Sequence, residues 1–403
     1  MDLSGVFSGV RIVELAQYVF VPGASVLLAD QGAEVIKIET PGDGDPYRTL
    51  KIGDGRESGT VNLAMEQNNR NKKSVALDLK NEEGREALLK LIETADVFIT
   101  SLRPRAIRAL KLDVEDLRQR NPKLIYVRGN GLGFRGDEAD KPGFDASSFW
   151  ARGGICYALT KPGAQPTLPR PAFGDHTGSL ALAYGIAGAL YKRATTGEAT
   201  VVETSLLATA VWVLSADVTY SQDKNYKIHS AAAASPFPLK RAYITEDGRY
   251  IQLMLLDPRP HWAPLCCMLD LEELANDPKF ADHDARMKNG AELTEIFQQR
   301  IGSKPWSHWR PIFEAWDAPW ELIRTVDDVA EDPQVHANEM IRHMKVDGED
   351  IRVVVGPTAF DSKPALARLD QSPGMGEHTG AVLSELGYSD AAIAALREKR
   401  IAQ

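Results

Sequence analysis

The segment Phe173-Gly174-Asp175-His176-Thr177-Gly178 sets an acidic side chain between a proline-rich loop and a run of small residues with helical spacing. A carboxylate there can serve in two ways. As an N-cap it accepts hydrogen bonds from the open N–H groups of the first turn, the commonest use of Asp at such a place. As a nucleophile it must be ionised, and a helix N-terminus favours that form, so the expectation for Asp175 is a depressed pKa. Gly174 beside it allows a substrate to approach closely. Carboxylates do form covalent intermediates when the acyl group arrives activated.

Other chemistry-bearing residues gather in two basic stretches. Asn68-Asn69-Arg70-Asn71-Lys72-Lys73 leads into the strand-like run Ser74 to Leu79, and Arg103, Arg105 and Arg108 follow a strand ending at Thr100. Brought to one end of a parallel sheet, they would suit a ligand with several phosphates. Gly129-Asn130-Gly131-Leu132-Gly133 is glycine-rich after a strand but matches neither GxGxxG nor GxxxxGK[ST], which argues against nicotinamide and nucleoside-triphosphatase chemistry; it reads as a flexible loop. His261, His308, His336 and His343 form no metal motif, and no GxSxG element is present.

The elements that must position these groups alternate. Val10 to Leu15, Glu34 to Ile38, Ser74 to Leu79, Asp96 to Thr100, Leu124 to Val127 and Thr200 to Thr204 read as strands. Gly23 to Gln31, Glu82 to Ala95 and Thr177 to Ala194 read as helices. This is an α/β pattern with a mostly parallel sheet covered on both faces, whose ligands sit beyond the carboxyl ends of the strands. The loops after Leu15, Ile38, Thr100 and Val127 are therefore the expected binding loops. Ser221 to Pro238 reads as a linker. A smaller α/β unit follows, with a strand from Tyr250 to Leu255 and helices at His261–Leu269, Ala291–Arg300 and Trp309–Trp316. A tail strand, Ile351 to Pro357, and a terminal helix, Ala381 to Lys399, return to the first domain.

With 403 residues, two domains are the default. A net charge of −9 argues against nucleic acid and anionic membranes as partners. Cys156, Cys266 and Cys267 give neither a disulfide framework nor metal-ligand spacing, and with no leader or membrane-spanning run in view the expected location is the cytoplasm.

In order and spacing, GVRIVELAQYVFVPGASVLLADQGAEVIKIETPGDGDPYR, NRNKKSVALDLKNEEG, ADVFITSLRPRAI, PGFDASS, FGDHTGSLALAYGIAGALYKRATTGEATVVETSLL, EDPQVHANEMI and GEHTGAVLSELGYS run along nearly the whole chain. In these segments it resembles the family III CoA-transferases, a group that includes formyl-CoA transferase, carnitine CoA-transferase and α-methylacyl-CoA racemase. The resemblance implies that Asp175 attacks the donor thioester to give a mixed anhydride, then an aspartyl-CoA thioester that the acceptor acid resolves. Coenzyme A would be a substrate, with no metal; acyl-CoA and a carboxylic acid would be the partners. The implied CoA contacts are Gln17, Tyr18, Val19 and Phe20; Asn71, Lys72 and Lys73, continuing through Leu77, Asp78 and Lys80; and Ser101, Leu102, Arg103 and Arg108.

The fold so implied is a Rossmann-like large domain with its first part over 1–215, a small domain over 225–330, and a segment over 335–403 returning to the large domain, in a homodimer of interlocked chains. Racemases carry a proton-transferring His where this chain has Phe144, so transfer is favoured over the alternative, an acyl-CoA racemase or isomerase. Ser230-Ala231-Ala232-Ala233-Ala234-Ser235 stands where formyl-CoA transferase has a glycine-rich loop. With Tyr18, Phe20, Phe149 and Trp150 it suits a larger or more apolar acyl group. Asn caps helices about as well as Asp, so Asp175→Asn is expected to abolish transfer with folding stability nearly unchanged.

Overall fold

The alternating apolar runs fold, in the computed structural model of the chain, into two compact units, and residues 5–50, 61–224, 237–364 and 366–403 are described. The first unit takes in Met1–Tyr157, Thr167–Lys227 and Pro333–Gln403; the second takes in Ala158–Pro166 and Ile228–Asp332.

The first unit is built on six strands: β1 Arg11–Leu15, β2 Glu34–Glu39, β3 Lys73–Ala76, β4 Val97–Thr100, β5 Ile125–Asn130 and β6 Val201–Ser205. Their order is β3-β2-β1-β4-β5-β6, and every adjacent pair is parallel. The period-2 pattern explains why both faces are covered. Phe98 and Tyr126 join Val13 and Ile36 under Leu88, Leu91 and Ile92 of the helix Glu82–Glu93. Val97, Ile99, Ile125 and Val127 face the other way, onto the helices Phe20–Asp30 and Phe173–Thr196. From β1 the chain winds outward to β2 and β3, then crosses back to β4 and winds the opposite way. That reversal opens a crevice beyond the carboxyl ends of β1 and β4.

Several helices begin or end a few residues from the sequence expectation, and two differ for a backbone reason. The helix read as Thr177 to Ala194 starts four residues earlier, at Phe173, after Ala172 turns the backbone through φ +60°; Asp175 is thus the third helical residue rather than the cap. The terminal helix is two, Thr379–Glu385 and Asp390–Glu398, parted at Gly387, whose φ of +84° no helix accommodates.

The second unit has the antiparallel sheet β7 Ala242–Ile244, β8 Tyr250–Leu253 and β9 Trp320–Ile323. Trp262–Met268, Gly290–Ile301 and Trp306–Glu314 are among its helices, around a core that includes Tyr243, Phe297, Trp309 and Phe313. Back in the first unit, β10 Ile341–Val346 and β11 Glu349–Val354 form a hairpin. The alanine-rich run 231–234 and most of the expected linker lie outside the described residues.

Candidate active site

The loop leaving β1 is held in an unusual backbone shape. Tyr18 sits at φ +65°, a left-handed conformation that a bulky residue adopts only when its surroundings impose it. Two bonds do so: Gln17 N–H donates to Ser101 Oγ at 3.0 Å, and Tyr18 N–H to Asp45 Oδ1 at 3.1 Å. Asp45 also accepts from Tyr47 N–H at 2.9 Å and pairs with Lys37 Nζ at 2.9 Å. Lys37 reaches Glu14 and the Ala16 carbonyl, both at 2.8 Å, and Lys72 closes the set on the second Glu14 oxygen at 2.8 Å. These side chains are fully buried. Burial alone would raise Glu14, yet Lys37 and Lys72 outweigh it and hold its carboxyl down to about 2. Burial and the Lys37 charge push Lys72 down to about 8 against the pull of Glu14.

Asp175 opens from the first turn of Phe173–Thr196 into a cleft of about 370 Å³. Gln17, Tyr18 and Phe20 line one side, Ser101, Leu102 and Arg103 another, and Gly129, Asn130, Gly131, Lys141 and Phe144 the rest. The Ser179 hydroxyl pins the two helices together, donating to Phe20 O and Asp175 O. Any Cβ on Gly178 would strike the Phe20 ring, which explains the small residue there. The glycine-rich stretch read as a flexible loop is instead a fixed wall: Gly129 and Asn130 complete β5, and Asn130 Nδ2 donates to Gly133 O at 2.8 Å.

The expected depression of the Asp175 pKa is overturned. Burial, then the charge of Asp145, push it up to about 7. The first-turn position does favour the anion, but a carboxylate shielded from water beside a second carboxylate loses more than the helix end returns. Tyr47, 5% exposed, is pushed up to about 12 by burial and by the charges of Asp175 and Asp45, so its phenol stays protonated next to the site.

The structure sorts the expected CoA contacts into groups. Gln17, Tyr18, Phe20, Ser101, Leu102 and Arg103 meet Asp175 in the cleft, whereas Val19 is buried in the core. Leu77 lines a smaller recess with Ile38, Thr40 and Leu79, and that recess shares Gln17 and Leu102 with the cleft. Asp78 and exposed Lys80 follow on the same side, after the carboxyl end of β3. Arg108 is exposed and bonds Asp140 at 3.1 Å.

Asn71, Lys72 and Lys73 stand elsewhere, because the first two precede β3 and Lys73 opens it, while Arg103 follows β4. In a parallel sheet those are opposite ends, so the two basic stretches are not brought to one end. Asn71 bonds Asp30 at 2.7 Å, Lys72 bonds Glu14, and Lys73 pairs with Glu34. Lys72 is therefore a buried counter-ion with no open face for a phosphate. Asp145 and Tyr47 are polar residues whose charges or rings bear on Asp175 and which the sequence did not single out. Asp145 lay visible in PGFDASS, next to Phe144. Nothing marked Tyr47, which is brought in by the single 3₁₀ turn Pro46–Arg48.

Among the described residues, no group of three or more His, Cys, Asp or Glu is arranged to hold a metal ion, and no helix is long and apolar enough to cross a membrane. Comparison with known proteins gives a single direction. The family described as CoA-transferase family III matches residues 7–379. Cinnamoyl-CoA:phenyllactate CoA-transferase of Clostridium sporogenes is 34% identical over 98% of this chain and 97% of its own length. (R)-2-hydroxy-4-methylpentanoate CoA-transferase of Clostridioides difficile is 32% identical over 98% of each chain. The crystal structure of Rv3272 from Mycobacterium tuberculosis superposes with a TM-score of 0.82 at 30% identity, covering 94% of this chain and 100% of that one.

Proposed function

The chain belongs to CoA-transferase family III, and we propose that it moves CoA from an acyl-CoA donor to a carboxylic acid through covalent intermediates on Asp175. The observation that carries this reading is the placing of that carboxylate, open to a cleft walled by Gln17, Tyr18, Phe20, Ser101 and Leu102. An Asp175 oxygen attacks the thioester carbon, and CoA thiolate leaves with the bonding electron pair. The thiolate then attacks the Asp175 acyl carbon, releasing the donor acid and leaving an aspartyl-CoA thioester. The acceptor carboxylate repeats both exchanges in reverse. No proton is gained or lost overall, and each step exchanges one activated acyl bond for another. Phe144 on the cleft wall cannot relay a proton, which favours transfer over racemisation.

Coenzyme A lies along the carboxyl edge of the sheet in this reading, from Leu77, Asp78 and Lys80 past Gln17 and Leu102 to Asp175, with Arg103 and Arg108 near its phosphates. Asn71, Lys72 and Lys73 are left out of the contact set. The acyl group is aromatic or branched and apolar: Tyr18 meets Phe144 edge-on at 5.3 Å and Tyr47 at 6.4 Å, an aromatic rim beside the nucleophile. The two bacterial relatives, named for phenyl-bearing and methyl-branched acids, support it. Three cysteines without a disulfide fit a reducing compartment, the cytoplasm. The chain works as a homodimer, supported by an exposed apolar face on Phe173–Thr196 that includes Leu180, Tyr184 and Tyr191.

Incubation with cinnamoyl-CoA followed by hydroxylamine, read by peptide mass spectrometry, is expected to convert Asp175 to its hydroxamate. Asp175→Asn is expected to abolish both the adduct and the transfer. Transfer surviving in Asp175→Asn sinks the proposal; oxalate outpacing aryl-substituted acids as acceptor removes the substrate class alone.

A further inference from the structure

Asp145 begins the π-helical segment Asp145–Arg152 and aims its carboxylate at the first turn of the helix that carries Asp175. Gly174 N–H donates to its Oδ2 at 3.2 Å, while Oδ1 is buried without a hydrogen-bond partner. A Cβ on Gly174 would collide with that same Oδ1 and with the Phe149 ring, so the glycine lets this carboxylate press against the helix end. A cap needs one accepting oxygen. A second, buried and unsatisfied beside the residue that does the chemistry, calls for another explanation.

We propose that Asp145 is a positioning residue for the transfer, whose fixed negative charge drives Asp175 from its free carboxylate toward its acylated forms. This rests on the reading of Asp175 as nucleophile and deepens it. A free Asp175 carboxylate carries a charge that Asp145 repels. Once its oxygen is bonded to an acyl carbon, or its own acyl carbon to CoA sulfur, Asp175 is neutral and the repulsion is gone. The departing negative charge leaves on CoA thiolate or on the released acid. The same repulsion makes the free carboxylate more basic and hence a stronger nucleophile.

The surrounding groups leave Asp145 as the controlling charge. The Tyr47 phenol is held protonated, and His176, bonded to Asn68 at 3.0 Å, is pushed below the usual imidazole range by burial and then by Arg70. Arg103 and Lys141, on the outer cleft, engage the Asp140 carbonyl and Glu138. Asp145 is the charge that joins burial in raising Asp175 to about 7; burial also raises the Asp145 carboxyl above its ordinary value, and the N–H groups of Gly174 and Asp175 hold that rise back.

The test uses Asp145→Asn and Asp145→Ser, each keeping a neutral oxygen for the Gly174 N–H, and is read on whichever variant melts as wild type does. In wild type the acid limb of kcat/KM is expected near pH 7. In the neutral variant it should move down by about one pH unit, and the steady-state Asp175 adduct at pH 8 should fall about tenfold, the equilibrium equivalent of one unit. A purely structural cap moves neither. An unshifted acid limb and an unchanged adduct fraction overturn the proposal. If wild type forms no Asp175 adduct at all, the nucleophile reading fails instead, so the two failures are told apart.

Discussion

At the scale of single residues, the energetics of Asp175 run against its use as a helix stabiliser. Its folded pKa, about 7, lies above the ordinary carboxyl value of 3.8. The folded state then holds a proton that the unfolded chain gives up, so stability falls as pH rises between those values. A shift of that size corresponds to on the order of 4 kcal/mol lost by pH 8. Asp175→Asn, which carries no charge to desolvate, is therefore expected to be more stable than wild type at pH 8 and about equal near pH 4. Urea unfolding at the two pH values measures it. Equal stability at both would restore the sequence expectation of an unchanged fold, and lower stability at pH 8 would restore Asp175 as a cap. The sequence pointed to Asp175, which does open into the cleft, because its neighbours Gly174 and Gly178 mark a close approach. It could not show the sign of the shift, because Asp145 lies thirty positions earlier and burial is set by the whole cleft.

Elements carry the next constraint, since every group in the cleft hangs from the carboxyl end of a strand or the start of a helix. Strands were legible although their order was not: β1, β2, β4 and β5 each read as a short apolar run, and the loops after Leu15, Thr100 and Val127 do line the cleft. The illegible part was the charged layer beneath. Lys37 sits mid-strand in Glu34–Glu39, where alternation alone would count it as one more polar position. It is instead fully buried between Glu14 and Asp45, and through Asp45 it sets the Tyr18 loop. Removing one partner of a buried ion pair leaves the other charge desolvated, at a cost of about 3–5 kcal/mol. Lys37→Met should lose that much by denaturant unfolding. It should also raise KM for acyl-CoA more than it lowers kcat, because the binding loop loosens while Asp175, held by a different helix, keeps its place. A variant with wild-type stability would show that Glu14 and Asp45 are protonated or hydrated rather than ion-paired.

For the whole molecule the open question is what covers the outer face of Phe173–Thr196. Leu180, Tyr184 and Tyr191 recur at helical spacing on one side, with Tyr184 83% and Tyr191 73% exposed, and Trp212 on a following helix is 78% exposed. A monomer seldom leaves such rings in water. A second copy of the chain covers them in the proposed dimer, and Tyr184→Glu, by placing a charge in that contact, should raise the monomer fraction seen by light scattering. The manner of pairing has its own consequence. Two chains that merely touch exchange partners at the rate at which the interface opens. Two interlocked chains must unfold before they part, so exchange is as slow as unfolding itself. Mixing dimers that carry different affinity tags should then give no doubly tagged species over hours at room temperature. The mixed species should appear once both samples are unfolded in urea and refolded together. Rapid mixing without denaturant would leave a dimer in place but remove the linkage between its chains.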